Sequence, residues 1–473
     1  MKTECNEKRF EFQPLGRREI VADFTGGTIT SDGGGQLLRE VEKRTNILGR
    51  FAKCFTDHRN QDLVEHSVLD LVSQRVFAIA LGYEDLNDHD ELSRDQFFAA
   101  MVGKPDPTGD YRLLKRDKGH ALAGKSTLNR LELTPEDADE KSRYKKIVMN
   151  PEAIDMLLVD TFIESSPEPP EQIILDLDAT DIPLHGQQEE RFFHGYYDTY
   201  CYLPLYIFCG DELVCARLRP ANIDGAAGTI EELQRIIPRI RASWPEVKII
   251  LRGDSGFCRD DIMSWCEDPD NQIDYLFGLA KNNRLIKEIE DELAEARIMF
   301  ECSGEPSRRF KDFTYQTLDS WNRQRRVIGK AEQLAGRSNP RFIVSSLTKE
   351  EYDARSLYED EYCARGDMEN RIKEKQLMLF ADRTSSAKMR ANQLRLYFSS
   401  IAYLLMQSLR RIGLAGTEMA RAQCDTIRLK LFKIGAHIKI TVRKIWVAYA
   451  SGYPYAELFR EVYRKLQQVP IRS

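Results

Sequence analysis

The 473-residue sequence lacks the features that would assign it at once to several common classes of protein. Its ten cysteines fall at irregular spacings with no C-x-x-C pair, so we expect reduced thiols in a cytosolic protein and neither a disulfide framework nor a zinc site. The most apolar stretch, Leu396 to Leu409, is too short to span a bilayer. Residues 1–20 contain no apolar segment, so we expect no secretory signal and no membrane partner.

The sequence also has no internal repeat and no low-complexity tract, and its hydrophobic and aromatic content argues against wholesale disorder. What remains is an ordinary globular composition, with 42% hydrophobic and 10% aromatic residues. A chain of this length is expected to form two to three domains.

Charge is distributed unevenly along the chain. The formal net charge is only -6, which gives little support to a nucleic-acid partner. Residues 371–473, however, contain 20 basic and 6 acidic residues, a formal charge of +14, so residues 1–370 carry -20. This separation indicates either a basic C-terminal surface for a polyanion or solvated helix faces that pair with the acidic part, and composition leaves both open.

The order of apolar runs predicts an α/β fold. Residues 172–281 read as three strands, a helix, a strand, a helix and a strand, with a Gly-Asp hairpin turn at Gly210 and Asp211. This order is typical of a ribonuclease-H-like mixed sheet. Pro238 is expected to kink or shorten the first of these helices.

The remaining regions are divided around this core. We predict an N-terminal region over 1–164 and a linker, SSPEPPEQ, before the core. An inserted β-strand subdomain is predicted over 282–350. Residues 351–391 complete the core with a long helix that starts near Ser356, and 392–473 form a basic helical region.

Two motifs compete for the function. GHALAGKS, Gly119 to Ser126, fits the phosphate-loop pattern, but the charged residues LLKRDK precede it where an apolar strand is required, so a turn that opens a helix is favoured. Asp176, Asp178 and Thr180 after an apolar run fit a haloacid-dehalogenase-type phosphatase, in which the first aspartate is a nucleophile and Mg²⁺ assists. The phosphatase is the main alternative, although it leaves the later acidic residue and the basic helices unused.

A third constellation uses more of the chain. Asp178 and Asp254 each end a predicted strand, and Glu369 lies on the helix after the insertion. Three carboxylates brought together in this way can hold two Mg²⁺ ions for in-line phosphoryl transfer. Acidic residues at strand ends are common, so this spacing alone does not decide the function.

The helix adds positive charge near the third carboxylate. Tyr362, Arg365 and Glu369 are spaced to lie on one helix face, and Lys373 shares that face. Lys375 lies ~120° away from Glu369 on a regular helix. Such a face suits a metal ion and a phosphate together, but the same spacing also describes ordinary ion pairs.

With these residues in view, the chain resembles a bacterial insertion-sequence transposase of the DDE class. It is most similar to the insertion sequence thirteen-eighty family, within the cut-and-paste group that has a Tyr-Arg-Glu-Lys signature. The likeness covers almost the whole chain and is carried by these stretches: FTGGTITSDGGGQLLREVEK, QRVFAIALGYEDLNDHDELSRDQ, LDLDATDIPLHGQQEERFFHGYYDTYCYLPLYIF, ILRGDSGFCRDDIMSWCE, YLFGLAKN and YCARGDMENRIKEKQL.

The resemblance implies a ribonuclease-H-like core with a β-strand insertion before the last carboxylate. It implies that Asp178, Asp254 and Glu369 form the metal-binding catalytic triad, with Asp176 as a rival for the first place. Two Mg²⁺ ions are implied as cofactors, and Mn²⁺ can substitute for them. The signature lysine is missing: its position holds Gln376, so Lys375 and Lys373 are the candidates to replace it.

The implied chemistry is strand transfer without a covalent enzyme intermediate. Water nicks DNA at the element's terminal inverted repeat, the freed 3′-hydroxyl attacks the opposite strand to form a hairpin, and the reopened end attacks target DNA. Arg365, Lys373 and Lys281 are expected to hold phosphates. Trp321, in the insertion, is expected to stack on an unpaired base.

The implied partners are double-stranded DNA at the terminal repeats and target DNA. Residues 1–164 are expected to recognise the ends, and 371–473 to give a salt-dependent grip. Pairing of two ends implies a homodimer. The expected location is the bacterial cytoplasm, at the nucleoid. A catalytically inactive DNA-binding relative remains an alternative, although the three carboxylates are intact.

Overall fold

The computed structural model describes residues 9–472. Contacts between Cα atoms divide the chain into two compact units. The first unit joins the residues up to Asn46, Asp62–Asn129 and the residues from Ser408 onward, and the second joins Ile47–Gln61 and Arg130–Gln407. None of the helices formed by the described residues is both long enough and apolar enough to cross a membrane.

The strands, in chain order, are β1 (Arg9–Leu15), β2 (Arg18–Asp23), β3 (Ile29–Thr30), β4 (Phe55–Asp57), β5 (Ile147–Met149), β6 (Gln172–Ala179), β7 (Ile182–Pro183), β8 (Phe192–His194), β9 (Thr199–Tyr202), β10 (Leu205–Cys209), β11 (Glu212–Arg217), β12 (Lys248–Gly253), β13 (Ile273–Leu279), β14 (Ser307–Tyr315), β15 (Arg325–Leu334), β16 (Arg337–Ser338), β17 (Arg341–Ser345), β18 (Ala436–Ile440) and β19 (Ile445–Tyr449).

The α-helices are α1 (Gln36–Thr45), α2 (Ile47–Ala52), α3 (Val68–Leu81), α4 (Asp88–Leu92), α5 (Gln96–Val102), α6 (Lys125–Glu132), α7 (Pro151–Ser165), α8 (Thr229–Ser243), α9 (Asp260–Cys266), α10 (Asn283–Glu288), α11 (Glu290–Ser303), α12 (Ala354–Ser356), α13 (Gly366–Met378), α14 (Met389–Leu409), α15 (Cys424–Ile427) and α16 (Ala456–Gln468). Short 3₁₀ segments are Gly33–Gly35, Gln61–Leu63, Lys115–Asp117 and Cys363–Arg365, and π-helical turns are Leu357–Tyr362, Arg410–Leu414 and Arg428–Phe432.

A nine-stranded mixed sheet forms the centre of the second unit. Its strand order is β11-β10-β6-β12-β13-β17-β15-β14, with β16 beside β15. The three central strands β6, β12 and β13 run parallel to one another. They are mostly apolar, and helices α7, α8 and α9 contribute side chains such as Phe162, Ile236 and Met263 to the same core. The α/β prediction is confirmed, and α8 runs through Pro238 without being cut short.

The strands predicted as an inserted sheet are present, but they do not form a sheet of their own. β17 pairs with β13 in antiparallel fashion, so β14–β17 extend the central sheet. Two helices that the sequence analysis did not predict, α10 and α11, precede them. Of the fourteen residues of α11, Ala296 is the one that is buried, so the helix has almost no apolar stripe by which to recognise it.

The predicted long helix of 351–391 is interrupted. It begins at Ala354, passes through the π-helical turn Leu357–Tyr362 and the 3₁₀ turn Cys363–Arg365, and continues as α13. Turns of both kinds change the angle between successive side chains, and π-helical turns are frequent at functional sites. Which side chains of this helix share a face therefore cannot be read from a regular 3.6-residue period.

In the first unit, a glycine triplet allows the N-terminal and C-terminal segments to approach closely. A Cβ atom at Gly34 would lie 1.7 Å from the carbonyl oxygen of Leu431. Beside it, the buried Asp32 accepts hydrogen bonds from Lys433 Nζ at 2.5 Å and from Tyr83 Oη at 2.6 Å. A charge-assisted bond in a buried position ties the two segments together.

The phosphate-loop match is a turn that opens a helix, as favoured above. Helix α6 begins at Lys125, and the residues before it form a 3₁₀ turn where a strand would be needed. Asp90 occupies the place of an anion, since it accepts from the Lys125 backbone N–H at 3.1 Å and pairs with Lys125 Nζ at 3.0 Å. A carboxylate here would repel a phosphate.

The contact at Gly34 gives a testable prediction. Replacement of Gly34 with Ala forces the backbone near Leu431 to move, because a carbonyl oxygen cannot yield as a flexible side chain does. We expect Gly34→Ala to lower the free energy of unfolding by about 3 kcal/mol or more. Thermal or urea unfolding measures it. The control is Gly452→Ala, whose Cβ would meet no atom within 4 Å, and equal stability of the two variants would contradict the packing described.

Candidate active site

Two aspartates lie side by side at the carboxyl ends of neighbouring parallel strands. Leu177 of β6 is opposite Gly253 of β12, and the next residues along the two strands are Asp178 and Asp254. Both carboxylates therefore leave the sheet at the same height, on strands ~4.8 Å apart. The backbone N–H of Gly256 donates to Asp254 Oδ1 at 2.8 Å, which fixes that side chain at the start of its loop.

Helix α13 contributes a third carboxylate at this edge, and the 3₁₀ turn just before the helix contributes an arginine. Arg365 Nη2 donates to Glu369 Oε1 at 3.1 Å. Burial alone would lower the pKa of Arg365, but its pKa is raised by Tyr362 and by the charges of Asp178, Asp254 and Glu369. The guanidinium therefore lies within electrostatic range of all three predicted carboxylates.

The environment of Asp178 is unfavourable to its charge. Its pKa is raised to about 6, first by burial and then by the charges of Asp254 and Glu369, while Arg365 opposes the rise. Electrostatic repulsion between ionised carboxylates is the expected energetic cost of assembling them in one place. A cation at the site lowers that cost.

Asp176, the alternative to Asp178 as the first carboxylate, forms an ion pair with Arg252. It is buried, and both carboxylate oxygens accept from Arg252, with Nε at 2.5 Å and Nη2 at 2.8 Å. Arg252 also donates to the carbonyl oxygen of Glu361, just before Tyr362. A carboxylate enclosed in a bidentate ion pair is not free to attack a substrate. The arrangement is incompatible with a phosphatase that uses Asp176 as its nucleophile, and it supports Asp178 as the first carboxylate.

Arg252 is a residue that the sequence analysis missed. A signal for it exists, because a lone arginine inside the apolar strand KIILRG must be paired when the strand is buried. Its register opposite Asp176 identifies the partner. The pair positions the end of β6 relative to the helical segment that bears Tyr362 and Arg365.

Gly278 permits the close approach of Tyr362. A Cβ atom at this position would lie 2.5 Å from Tyr362 Oη and 2.9 Å from the backbone nitrogen of Ser255. The tyrosine hydroxyl is thereby held against the backbone that follows Asp254. Burial raises the pKa of Tyr362, and the charge of Asp254 contributes in the same direction, so the hydroxyl stays protonated and can donate a hydrogen bond.

A cavity of about 280 Å³ is lined by Ser255 and Tyr362. Lys281 lines it from the end of β13, and Arg341 and Phe342 line it from β17. Lys281 is exposed at this position. One of the predicted phosphate-binding residues therefore shares a recess with Ser255, the residue after Asp254, and the recess also has an aromatic wall.

The lysines of α13 divide into one exposed and one buried residue. Lys373 is exposed. Lys375 is completely buried, and its Nζ lies 4.7 Å from the centre of the Tyr206 ring. Burial lowers the pKa of Lys375 well below its usual value.

The prediction that Lys375 binds DNA is therefore corrected. Its side chain lies on the same face of α13 as the buried Met368 and Ile372, a spacing of four and three residues that was readable in the sequence. Gln376, at the signature position, donates weakly to the carbonyl oxygen of Asp181 at 3.5 Å. Lys373 remains the candidate for the missing lysine.

The prediction that Trp321 stacks on a base is also corrected. Trp321 is buried in the core of the second unit. Its ring packs edge-to-face against Tyr315 at 5.9 Å, and Arg325 lies 5.5 Å from its centre. A side chain in this position stabilises the strands β14 and β15 and presents no free face to a nucleotide.

The donors at the site fit magnesium in their chemistry. Asp178, Asp254 and Glu369 are carboxylates, the ligands that Mg²⁺ prefers in proteins, and they act on one another electrostatically. In the arrangement shown, no three His, Cys, Asp or Glu side chains within residues 9–472 stand close enough together to enclose a metal ion. Arg365 provides a positive charge within electrostatic range of all three carboxylates.

The two aspartates of β6 give opposite predictions for stability. Because folding raises the pKa of Asp178 to about 6, its ionised form destabilises the folded state. This penalty is absent below pH ~4, grows as the pH rises through 6, and is complete at neutral pH. We expect Asp178→Asn to raise the free energy of unfolding at pH 7 by about 1–2 kcal/mol, as measured by urea unfolding without divalent cations.

The matched variant on the same strand is Asp176→Asn. It leaves Arg252 buried without its partner, so we expect a decrease of about 3–5 kcal/mol in the free energy of unfolding. A similar decrease in both variants at pH 7 would contradict the difference drawn between the two aspartates.

Comparison with known proteins addresses the family. The profile of the transposase DDE domain group 1 matches residues 12–471. Among solved structures, a piggyBac transposase synaptic complex with hairpin DNA, determined by cryo-electron microscopy, is similar over 92% of this chain and 82% of that chain, at 11% sequence identity and a TM-score of 0.40. No match was found among curated proteins. Because the profile covers nearly the whole sequence, the chain belongs to the transposase DDE domain group 1 family.

Proposed function

We propose that this transposase performs cut-and-paste transposition of an insertion sequence of the thirteen-eighty family. It cuts DNA at terminal inverted repeats and joins the freed ends to target DNA. The observation that carries the proposal is the convergence of Asp178, Asp254 and Glu369 around Arg365 at one edge of the sheet. These three carboxylates are the proposed catalytic residues.

The topology of the second unit supports a ribonuclease-H-like core. If β6, β10, β11, β12 and β13 are counted one to five, their order across the sheet is 3-2-1-4-5. The second strand is antiparallel to the first, whereas the fourth and fifth strands are parallel to the first. The first and fourth strands are then the two that end in carboxylates, side by side.

Magnesium ions held by Asp178, Asp254 and Glu369 would activate the attacking oxygen and stabilise the departing one. The chain's own residues orient the substrate. Arg365 is placed to hold a phosphate next to the carboxylates once a cation shares their charge. The Tyr362 hydroxyl, held beside Gly278, is placed to donate to a phosphate oxygen.

Two lysines extend this phosphate-binding surface. Lys281 lines the same cavity as Ser255 and Tyr362, and Lys373 is exposed on α13 four residues after Glu369. Both are free of ion pairs among the described residues, so their charges are available to DNA. Synapsis of two element ends would place two copies of the chain in one complex as a homodimer.

A cleavage assay tests the proposal. Purified protein, a labelled duplex that contains the end of its own element, and Mg²⁺ are expected to give a nick at the repeat boundary on a denaturing gel. Asp254→Asn and Glu369→Gln are expected to lower the rate at least a hundredfold, since even residues that only support metal ligands cost 10–100-fold when changed. Chelation of divalent cations with EDTA is expected to abolish the nick.

The control is Asp270→Asn, which removes an exposed carboxylate from the same unit and should cut at the wild-type rate. Wild-type cleavage by Glu369→Gln would overturn the assignment of the third carboxylate. Release of phosphate from small esters without any DNA nick would overturn the proposed function.

A further inference from the structure

We propose that the hairpin β18–β19, residues 436–449, is a DNA-binding element that enters a groove of duplex DNA. The inference rests on the proposed action on DNA, and it assigns a surface of the first unit, whereas the carboxylates belong to the second. Two antiparallel strands joined by a short turn have the width that the major groove of B-DNA admits.

The two faces of the hairpin differ in character. Lys439 lies opposite Trp446, and Ile438 lies opposite Val447. Ile438 is buried and its face packs on the unit, whereas Lys439 and Trp446 point outward, with Trp446 56% exposed. An aromatic ring and a cation on one outward face are the combination that binds nucleic-acid backbones and bases.

The tip of the hairpin adds two further cations. Thr441 and Lys444 close the turn, with the Thr441 N–H donating to the Lys444 carbonyl oxygen at 2.9 Å. Val442 and Arg443 at the tip are exposed, and Lys444 Nζ lies 5.2 Å from the centre of the Trp446 ring. Lys439 and Lys444 therefore flank one exposed indole, and Arg443 adds a third cation at the tip of the same hairpin.

Negative charge is absent from this part of the sequence. No acidic residue occurs between Asp425 and Glu457, a stretch that contains six Lys and Arg. Within the part of the chain that the structure describes, Lys439, Arg443 and Lys444 make no ion pair. Three uncompensated cations on one ribbon attract a polyanion and repel a second copy of the same ribbon.

A third strand and a buried inner face support the hairpin, as a rigid DNA-binding element requires. β18 pairs with β3 on its other side, at Ala436 with Thr30 and at His437 with Ile29. The third strand and the buried inner face give support that an isolated two-stranded hairpin lacks. The tip projects from this base, so its cations can reach phosphates on both sides of a groove.

The test measures duplex binding by full-length protein as a function of salt. Fluorescence anisotropy with a labelled duplex that contains the element's own end is recorded from 50 to 300 mM KCl. A variant with Lys439→Gln, Arg443→Gln and Lys444→Gln is expected to bind at least tenfold more weakly. The slope of log Kd against log salt is expected to fall by about 2–3, because each phosphate that a cation neutralises contributes ~0.9 to it.

The matched control keeps the charges, with Lys439→Arg, Arg443→Lys and Lys444→Arg, and should retain affinity and slope. Trp446→Ala is expected to weaken binding with an unchanged slope, because it removes no charge. All four positions are exposed, and unfolding midpoints verify that each variant is folded. If the triple glutamine variant does not fold, the single change Lys444→Gln, with an expected slope change of about 1, replaces it.

The outcomes separate this inference from the proposed function. Wild-type affinity and slope in the triple glutamine variant would overturn the role of the hairpin while leaving cleavage by the wild type untouched. A change in oligomeric state with unchanged DNA affinity would instead identify the hairpin as an interface between copies and would also overturn it. Wild-type protein that binds DNA through the hairpin but never cuts it would overturn the proposed function alone.

Discussion

The site depends on one electrostatic constraint, the repulsion between carboxylates gathered at the end of a buried sheet. Parallel pairing of β6 with β12 places Asp178 and Asp254 at the same height, and α13 adds Glu369. Burial and mutual repulsion raise the pKa of Asp178 to about 6, and Arg365 is the group that opposes them. A cation beside these carboxylates would lower the electrostatic cost of holding them together, and this is the physical basis of the proposed metal site.

The ion pair between Asp176 and Arg252 distinguishes the two aspartates of β6. Asp176 and Asp178 lie on the same strand, and either could have been the first carboxylate. Arg252 pairs with both carboxylate oxygens of Asp176 and also donates to the chain just before Tyr362, so Asp176 has a structural role and Asp178 is the proposed catalytic residue of this strand. The first unit uses the same device, since buried Asp32 joins Lys433 and thereby ties the N-terminal and C-terminal segments together near the base of the basic hairpin.

Much of the core and the first two carboxylates could be predicted from the sequence, because strand patterns and turn residues are local signals. The position of Glu369 relative to them could be inferred from family resemblance and not from spacing. The orientation of α13 and the burial of Lys375 depend on packing against Tyr206 and on the π and 3₁₀ turns before the helix, which no 3.6-residue period describes. The prediction for Trp321 failed for a related reason: Trp321 lies in the loop between β14 and β15, and its burial depends on tertiary packing, which no local pattern shows.

The central claim is that Asp178, Asp254 and Glu369 hold divalent cations at one place. Iron(II) supplied in place of Mg²⁺ reduces added hydrogen peroxide to hydroxyl radicals that cut the polypeptide next to the bound metal, and ascorbate regenerates iron(II). The fragments can be identified by mass spectrometry, with the duplex of the element's end bound. The account predicts cuts close to all three residues, which are far apart in the sequence, suppressed by excess Mg²⁺ and absent from Asp254→Asn. Cuts elsewhere in the chain, or cuts near these residues that neither Mg²⁺ nor the substitution removes, would contradict it.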